Sequence, residues 1–385
     1  MKFRKVWKKI AAVCLALSIS AATAYAADSI QVLAGDISVD AQAVVVMDAD
    51  SGRVLYAQNP DKQLAMASTT KIMTALLTLE QPDLYTYFTV DSNAIQVEGT
   101  TMGLQEGDMV TYRQLAVGML LPSGNDAANA AAVQIAGSQQ AFVEQMNQRA
   151  QQLGLRNTHY VTPSGLDAPG HYSSAYDLAQ LTREALQNPE FRNICGEQSI
   201  RLEFGNPPYA RTLYNTNKLL ERYPYAIGVK TGYTDDAGLC LVSAAEKDGI
   251  TLIVVTLNAH GDVQLHQQFY EHFFEKLTQA DISPLFQPVQ QVRVVGGTQA
   301  EVQAVPLQPL YASVYPDEAG ELDLKLELPQ FVYAPVQAGE ILGSASVYSS
   351  DGALVWQSPM VAQQQVESNG SKDSGFWAWL KNLFT

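Results

Sequence analysis

Residues 227–257 read IGVKTGYTDDAGLCLVSAAEKDGITLIVVTL, and three extended segments lie within them. Ile227 to Tyr233, Gly238 to Ala245 and Ile250 to Leu257 are rich in β-branched and apolar residues, and Lys247-Asp248-Gly249 is the turn that joins the last two. A hairpin of the same texture opens the chain much earlier. There Val44 to Met47 leads through Asp50-Ser51-Gly52 into Val54-Leu55-Tyr56. Between these strand regions the apolar period changes to that of helices, over Met66 to Leu79, Tyr112 to Leu121, Ala127 to Leu153 and Ser174 to Gln187. A sheet drawn from both ends of a domain, with helices inserted between, is an α+β plan: an antiparallel sheet flanked by helices.

Beyond Ile282-Ser283-Pro284 the texture changes again. VQQVRVVGG, AEVQAVPL, LDLKLEL, GSASVYSSDG and ALVWQ alternate or carry β-branched residues between Gly, Pro and Asp turns. The spacing predicts a catalytic or binding domain over 27–283, a small all-β sandwich over 284–362 and a polar linker over 363–373. The last segment, 374–385, places Phe376, Trp377, Trp379, Leu380, Leu383 and Phe384 on one helical arc, which predicts an amphipathic helix lying on a membrane surface.

The N-terminus carries Lys2, Arg4, Lys5, Lys8 and Lys9, then an apolar run, then Ala24 and Ala26 around Tyr25. This is the pattern of a secretory signal peptide over 1–26, with a retained N-terminal membrane helix as the competing reading. The expected place of work is therefore outside the cell, at the outer face of the cytoplasmic membrane. Across all 385 residues charged side chains make up only 16% and apolar ones 47%, which excludes a disordered tail as the global state. The net charge is −15; removing 1–26 takes away five of the 24 basic residues and none of the 39 acidic ones, leaving −20. A nucleic-acid surface needs clustered Lys and Arg, so that class of partner is set aside. Cys195 and Cys240 alone remain after residue 26, compatible with one bridge or with two buried thiols. No His or Cys spacing suits a metal, and no cofactor is implied.

Three short patterns carry chemistry. Ser68-Thr69-Thr70-Lys71 opens an apolar helix, Ser123-Gly124-Asn125 follows Leu120-Leu121-Pro122 between helices, and Lys230-Thr231-Gly232 sits on a strand. Singly they are weak, because Ser-x-x-Lys and Ser-x-Asn each arise about once by chance in such a length. Ser68 also reads as an ordinary N-cap, Lys71 as a solvated charge and Lys230 as a snorkelling strand lysine. Taken together they suit acyl transfer. A serine hydroxyl needs a base, and Lys71 stands one helical turn from Ser68 on the same face. A lysine is a base only when neutral, and burial beside a second cation, Lys230, would depress its pKa. Ser123 is placed to relay a proton, Asn125 to bind a substrate amide and fix Lys71, and Lys230 with the Thr231 hydroxyl to receive a carboxylate. The N–H groups of Ser68 and Tyr233 suit an oxyanion hole.

These motifs, together with VVVMDADSGRVLYAQN, EGTTMGLQEGDMVTYRQLAVGMLLPSGNDAANA, HYVTPSGLDAPGHYSSAYDLA and IGVKTGYTDDAGLCLVSAA, resemble the low-molecular-mass penicillin-binding proteins that are serine-type D-Ala-D-Ala carboxypeptidases. The resemblance runs from about Ile37 to Ala362. It implies the penicillin-recognising transpeptidase-like fold with a β-sandwich C-terminal domain, Ser68 as nucleophile, Lys71 as base, and Ser123 and Asn125 as second-motif partners. Lys230, Thr231, Gly232 and Tyr233 would bind substrate. Peptidoglycan stem pentapeptides would be the substrates, trimmed of their terminal D-Ala, and β-lactams would acylate the serine. One departure is visible: the segment NAHGDVQLHQQF, 258–269, lacks the arginine that some relatives use to hold the terminal carboxylate. That shifts the expected burden onto Lys230 and Thr231, or onto His266. Two other readings compete. A serine β-lactamase would share the three motifs, but the Glu-x-x-Leu-Asn element of class A enzymes is missing. A non-catalytic wall-binding scaffold of the same fold would have no need of Ser68, Lys71 and Lys230 together.

Overall fold

A computed structural model describes residues 37–369 of the chain. The expected signal segment 1–26 and amphipathic segment 374–385 lie outside the described residues. The chain divides after Leu277 into two compact units.

The first unit is built on a five-stranded antiparallel sheet of order β2-β1-β9-β8-β7. Its strands are β1 (Ala41–Asp48), β2 (Val54–Gln58), β7 (Ala226–Thr234), β8 (Gly238–Lys247) and β9 (Ile250–Ala259). The short pairs β3 (Phe88–Thr89) with β4 (Met109–Val110) and β5 (Ser199–Gly205) with β6 (Pro208–Tyr214) stand apart as two-stranded ribbons. Strand β9, ITLIVVTLNA, is apolar almost without alternation because both faces of the sheet are covered.

Register assigns the two faces. Val45, Val255, Val242 and Lys230 form one row across four strands, and its three valines belong to the main core under the helices. The alternate row through Val46, Val254 and Ser243 points the other way. Among the described residues one long helix covers that back face, six helices lie around the front core, and a short one beside β7 leads into Tyr223, which stacks on Tyr270 of the back helix. In chain order these are α1 (Lys71–Leu79), α2 (Tyr112–Leu120), α3 (Asn125–Ala136), α4 (Gln139–Gln152), α5 (Ala175–Ala185), α6 (Pro189–Cys195), α7 (Leu219–Arg222) and the back helix α8 (Asp262–Lys276). Helix α1 is buried nearly all round, being packed among α2, α3 and α5. Thr111 and Gln114 form a reciprocal capping box at the start of α2.

The expected single helix over 127–153 is two. Gly137, at φ +79°, closes α3 in a left-handed cap, and the Ser138 hydroxyl accepts the Ala141 N–H to start α4. The stretch that supplies α6 and the β5–β6 ribbon was not legible as elements, and α8 was not foreseen.

In the second unit a six-stranded sheet, order β14-β16-β17-β12-β11-β15, shares a core with the pair β10-β13. The strands are β10 (Thr278–Asp281), β11 (Gln290–Val295), β12 (Glu301–Pro306), β13 (Tyr311–Val314), β14 (Asp323–Glu327), β15 (Phe331–Tyr333), β16 (Ile341–Tyr348) and β17 (Leu354–Ala362). Because Thr278–Asp281 pairs with Tyr311–Val314, residues just before 284 go with this β unit. Trp356 anchors its core, edge-on to Phe286, with the indole N–H donating to the Pro309 carbonyl at 2.8 Å.

Candidate active site

Ser68 lies in a single 3-10 turn, Ala67–Thr70, that leads directly into α1. The entry is strained. Ala67 has φ +47°, a left-handed conformation that costs a residue with a Cβ about 1–3 kcal/mol and persists only where neighbours over-determine it. One such neighbour is Gly165, whose own φ is +86°: a Cβ there would sit 2.0 Å from the Ala67 carbonyl oxygen, so only glycine lets the 162–171 loop close on the turn. On the other side strand β7 passes. A Cβ on Gly232 would lie 3.1 Å from the Ser68 nitrogen, so the missing side chain keeps open the space beside that N–H.

The Lys71 amine is fully buried and has three polar neighbours: Ser68 Oγ at 2.8 Å, Asn125 Oδ1 at 2.7 Å and the Ser164 carbonyl oxygen at 2.6 Å. Its pKa is held well below the ordinary lysine range, first by burial and then by the charge of Lys230, with Asp126 pulling the other way. The two oxygens of Asn125 and Ser164 can only accept. A neutral amine has two N–H groups for them, which turns its lone pair to the Ser68 hydroxyl.

Asn125 is fixed from its other end, where its amide nitrogen donates to the Glu98 carbonyl at 2.8 Å. Ser123 opens the same loop at φ +66° and is buried; its carbonyl accepts from Thr100 Oγ1 at 2.8 Å. Beside it stands a buried carboxylate, Asp126, that none of the three motifs includes. Asp126 accepts the N–H groups of Met102 (2.8 Å), Gly103 (3.0 Å) and Leu104 (2.9 Å), tying the 98–104 segment to the start of α3. An acidic residue in the first turn of a helix was the available signal.

Lys230 is also buried, and burial lowers its pKa to about 7. Its ammonium donates to the Thr231 carbonyl at 2.7 Å. The Thr231 hydroxyl lies 2.7 Å from that of Thr216, whose N–H donates to the Leu121 carbonyl two residues before Ser123. Tyr233 is 62% exposed and its hydroxyl donates to Asp235, so its side chain is engaged away from the motif residues.

His266 does not belong to this constellation. It lies on α8, behind the sheet and fully buried, with Nδ1 2.6 Å from Ser243 Oγ and Nε2 2.9 Å from Thr256 Oγ1. Its place in sequence, just after the last strand, suggested the cleft; the helical turn that follows β9 carries it to the opposite face. Cys195 and Cys240 are buried, unbridged thiols in α6 and β8, and burial raises both pKa values.

Residues 29–261 match the family model described as D-alanyl-D-alanine carboxypeptidase, and 285–368 match that of the penicillin-binding protein 5 C-terminal domain. The chain is 32% identical over 355 residues to the D-alanyl-D-alanine carboxypeptidase DacF of Bacillus subtilis, covering 90% of each. It is 41% identical over 219 residues to DacB2 of Mycobacterium tuberculosis, covering 56% of this chain and 74% of the relative. Among solved structures, penicillin binding protein 5 of Haemophilus influenzae aligns with a TM-score of 0.66 at 27% identity, over 86% of this chain and 98% of that one.

Proposed function

This chain belongs to the D-alanyl-D-alanine carboxypeptidase family and is a serine-type carboxypeptidase that trims peptidoglycan stem peptides; on that premise we propose that Ser68 is its nucleophile and Lys71 the base. The observation that carries the assignment is the Lys71 amine, 2.8 Å from Ser68 Oγ, with its remaining neighbours able only to accept hydrogen bonds. Ser68 Oγ attacks the carbonyl carbon of the penultimate D-Ala while its proton passes to Lys71. The N–H groups of Ser68 and Tyr233 receive the oxyanion, and Gly232 keeps that position open. The C–N bond then breaks. The leaving D-Ala nitrogen takes a proton from Lys71 relayed by Ser123, and water, deprotonated by Lys71, hydrolyses the acyl ester.

Lys230 and Thr231 hold the terminal carboxylate, and Asn125 holds the peptide amide. A carboxylate arriving beside an amine whose pKa is about 7 favours its protonated form, so the substrate's own charge completes the ion pair that holds it. A β-lactam acylates Ser68 by the same first step. The lactamase and scaffold readings are not favoured, since the relatives that match along nearly the whole chain are carboxypeptidases. Export by the N-terminal segment and attachment by 374–385 complete the reading. Six large apolar side chains on one arc give a hydrophobic anchor, and with a single basic residue, Lys381, on that segment, detergent rather than salt should release it.

The test is product and adduct analysis. A pentapeptide muropeptide should lose one D-Ala, and intact-protein mass after penicillin treatment should show one adduct mapping to Ser68; an adduct on another residue would end the assignment. Fractionation of the full chain beside a truncation before Ser374 tests the anchor. If both stay soluble, or salt alone strips the full chain, the attachment is wrong.

A further inference from the structure

Thr70 has no part in the reaction as described, yet it closes the nucleophile turn with its side chain fully buried. Its hydroxyl lies 2.8 Å from the Ala67 carbonyl oxygen and 2.8 Å from His171 Nε2. A hydroxyl has one proton, so its direction depends on which nitrogen of His171 is protonated. The ring's other side decides that. His171 Nδ1 accepts the Val161 N–H at 2.9 Å, with the Thr162 N–H farther off at 3.3 Å, so Nδ1 is bare and Nε2 carries the hydrogen. The imidazole therefore donates to Thr70 Oγ1, and Thr70 in turn donates to the Ala67 carbonyl. Burial, and to a smaller extent His159, lowers the pKa of His171 to about 4, so the single-proton tautomer persists at neutral pH.

The Ala67 carbonyl and the Ser68 N–H are two ends of one peptide plane, and in a trans peptide they point in opposite directions. Holding the carbonyl toward Thr70 turns the N–H to the opposite side, where Gly232 of strand β7 stands beside the Ser68 nitrogen with no side chain to block it. The residue in this plane is also the strained one, at φ +47°, where a relaxed backbone would rotate the plane away. We infer that His171 is a positioning residue for catalysis: through Thr70 it fixes the Ala67–Ser68 peptide plane and so aims the Ser68 N–H at the developing oxyanion. The inference rests on the assignment of Ser68 as nucleophile.

Three variants test it: His171→Leu removes the donor, His171→Gln keeps a side-chain N–H and a carbonyl acceptor, and Thr70→Val leaves the ring but breaks the relay. The wild type is examined first, for a penicillin adduct on Ser68 and for D-Ala release; absence of either would sink the assignment of Ser68 and not merely the role of His171. Rapid-mixing kinetics then separate binding of penicillin from the limiting acylation rate, and a peptide boronic acid, whose tetrahedral adduct puts an oxygen in the same hole, reports on the oxyanion directly. His171→Leu should lower the limiting rate by about tenfold or more, short of the ~10²–10³ lost when an oxyanion donor is removed outright. Initial binding should stay unchanged, and boronate affinity should fall by a comparable factor. His171→Gln should recover most of the rate, and adding His171→Leu to Thr70→Val should cost nothing further. A wild-type rate in either Leu or Val variant, a loss confined to initial binding, no recovery with Gln, or losses that multiply in the double variant would each overturn the inference. If His171→Leu does not fold, Thr70→Val decides alone against Thr70→Ser, which keeps the hydroxyl and should acylate at nearly the wild-type rate.

Discussion

The two faces of the catalytic sheet bury much the same chemistry to different ends. On the back, His266, Ser243, Thr256 and Tyr270 form a closed network, with Ser243 Oγ 2.6 Å from both the imidazole and the Tyr270 hydroxyl. A serine and a histidine at that distance satisfy the first criterion for an activated nucleophile. They are nonetheless sealed, all four side chains being fully buried, and burial keeps the His266 ring neutral. On the front, two lysine amines are buried near each other, and Ala67, just before the first motif, and Ser123, opening the second, are held at positive φ. Serine and base together do not distinguish the two faces. The front differs in holding two buried amines beside each other and a nucleophile turn entered through a left-handed residue, Ala67.

Substitution on matched positions would break that contrast or sharpen it. The largest effect should come from Ser68→Ala, which should abolish D-Ala release and penicillin labelling, while Ser243→Ala lowers stability and leaves turnover at the wild-type value; a dead Ser243→Ala that still folds would make the back network part of the machinery. Next, Lys71→Ala should slow acylation by ~10²–10⁴, the usual range for losing a general base. In the wild type the rate should rise with pH, because the base acts only without its proton, and the midpoint should fall well below the ordinary 10.5. A flat profile from neutral to about pH 10 would remove the neutral amine from the mechanism. Truncating Lys230 should discriminate between ligands, with losses of about tenfold or more for a free carboxylate, the scale of one charge-assisted hydrogen bond, and smaller ones for the matching amide. Equal losses would take Lys230 out of carboxylate recognition.

The smallest effect is one the two faces share. His171 and His266 are both neutral in the fold, with pKa values lowered to about 4 and about 3, whereas the unfolded chain binds a proton near ~6.5. Between those limits the unfolded state holds more protons, so stability falls as pH falls, by about 1.4 kcal/mol per pH unit for each ring. Urea unfolding from pH 7 to pH 4.5 should show a shallower acid slope in His266→Gln than in the wild type, with acylation unaffected. An unchanged slope would mean that the ring is not buried neutral.

Legibility differed between the same two faces. The strands of the sheet and the first turn of each motif could be read because β-branched runs and Ser-x-x-Lys spacing are local patterns. The back helix was missed: DVQLHQQFYEHFFEK mixes polar and aromatic residues, and His266 stood out as a polar group where only a packed network was present. In the cleft, the contributions of the 162–171 loop were invisible because Ser164 reaches Lys71 through its carbonyl and Gly165 admits the Ala67 turn through an absent side chain. Neither contribution has a residue-type signature. Asp126 was overlooked for the converse reason, as an acidic side chain beside a motif reads as a surface charge until its four backbone donors are seen.

The left-handed residues at Ala67 and Ser123 also bear on how this chain can change over time. Each holds about 1–3 kcal/mol of conformational strain, against a typical net stability of only ~5–15 kcal/mol for a domain. The margin left for accumulating further substitutions in the catalytic unit is correspondingly thin. Variants of the cleft should then survive more readily in a background stabilised elsewhere, on the back helix or in the loops, than in the native one. The route to altered substrate range in this enzyme would begin far from the serine.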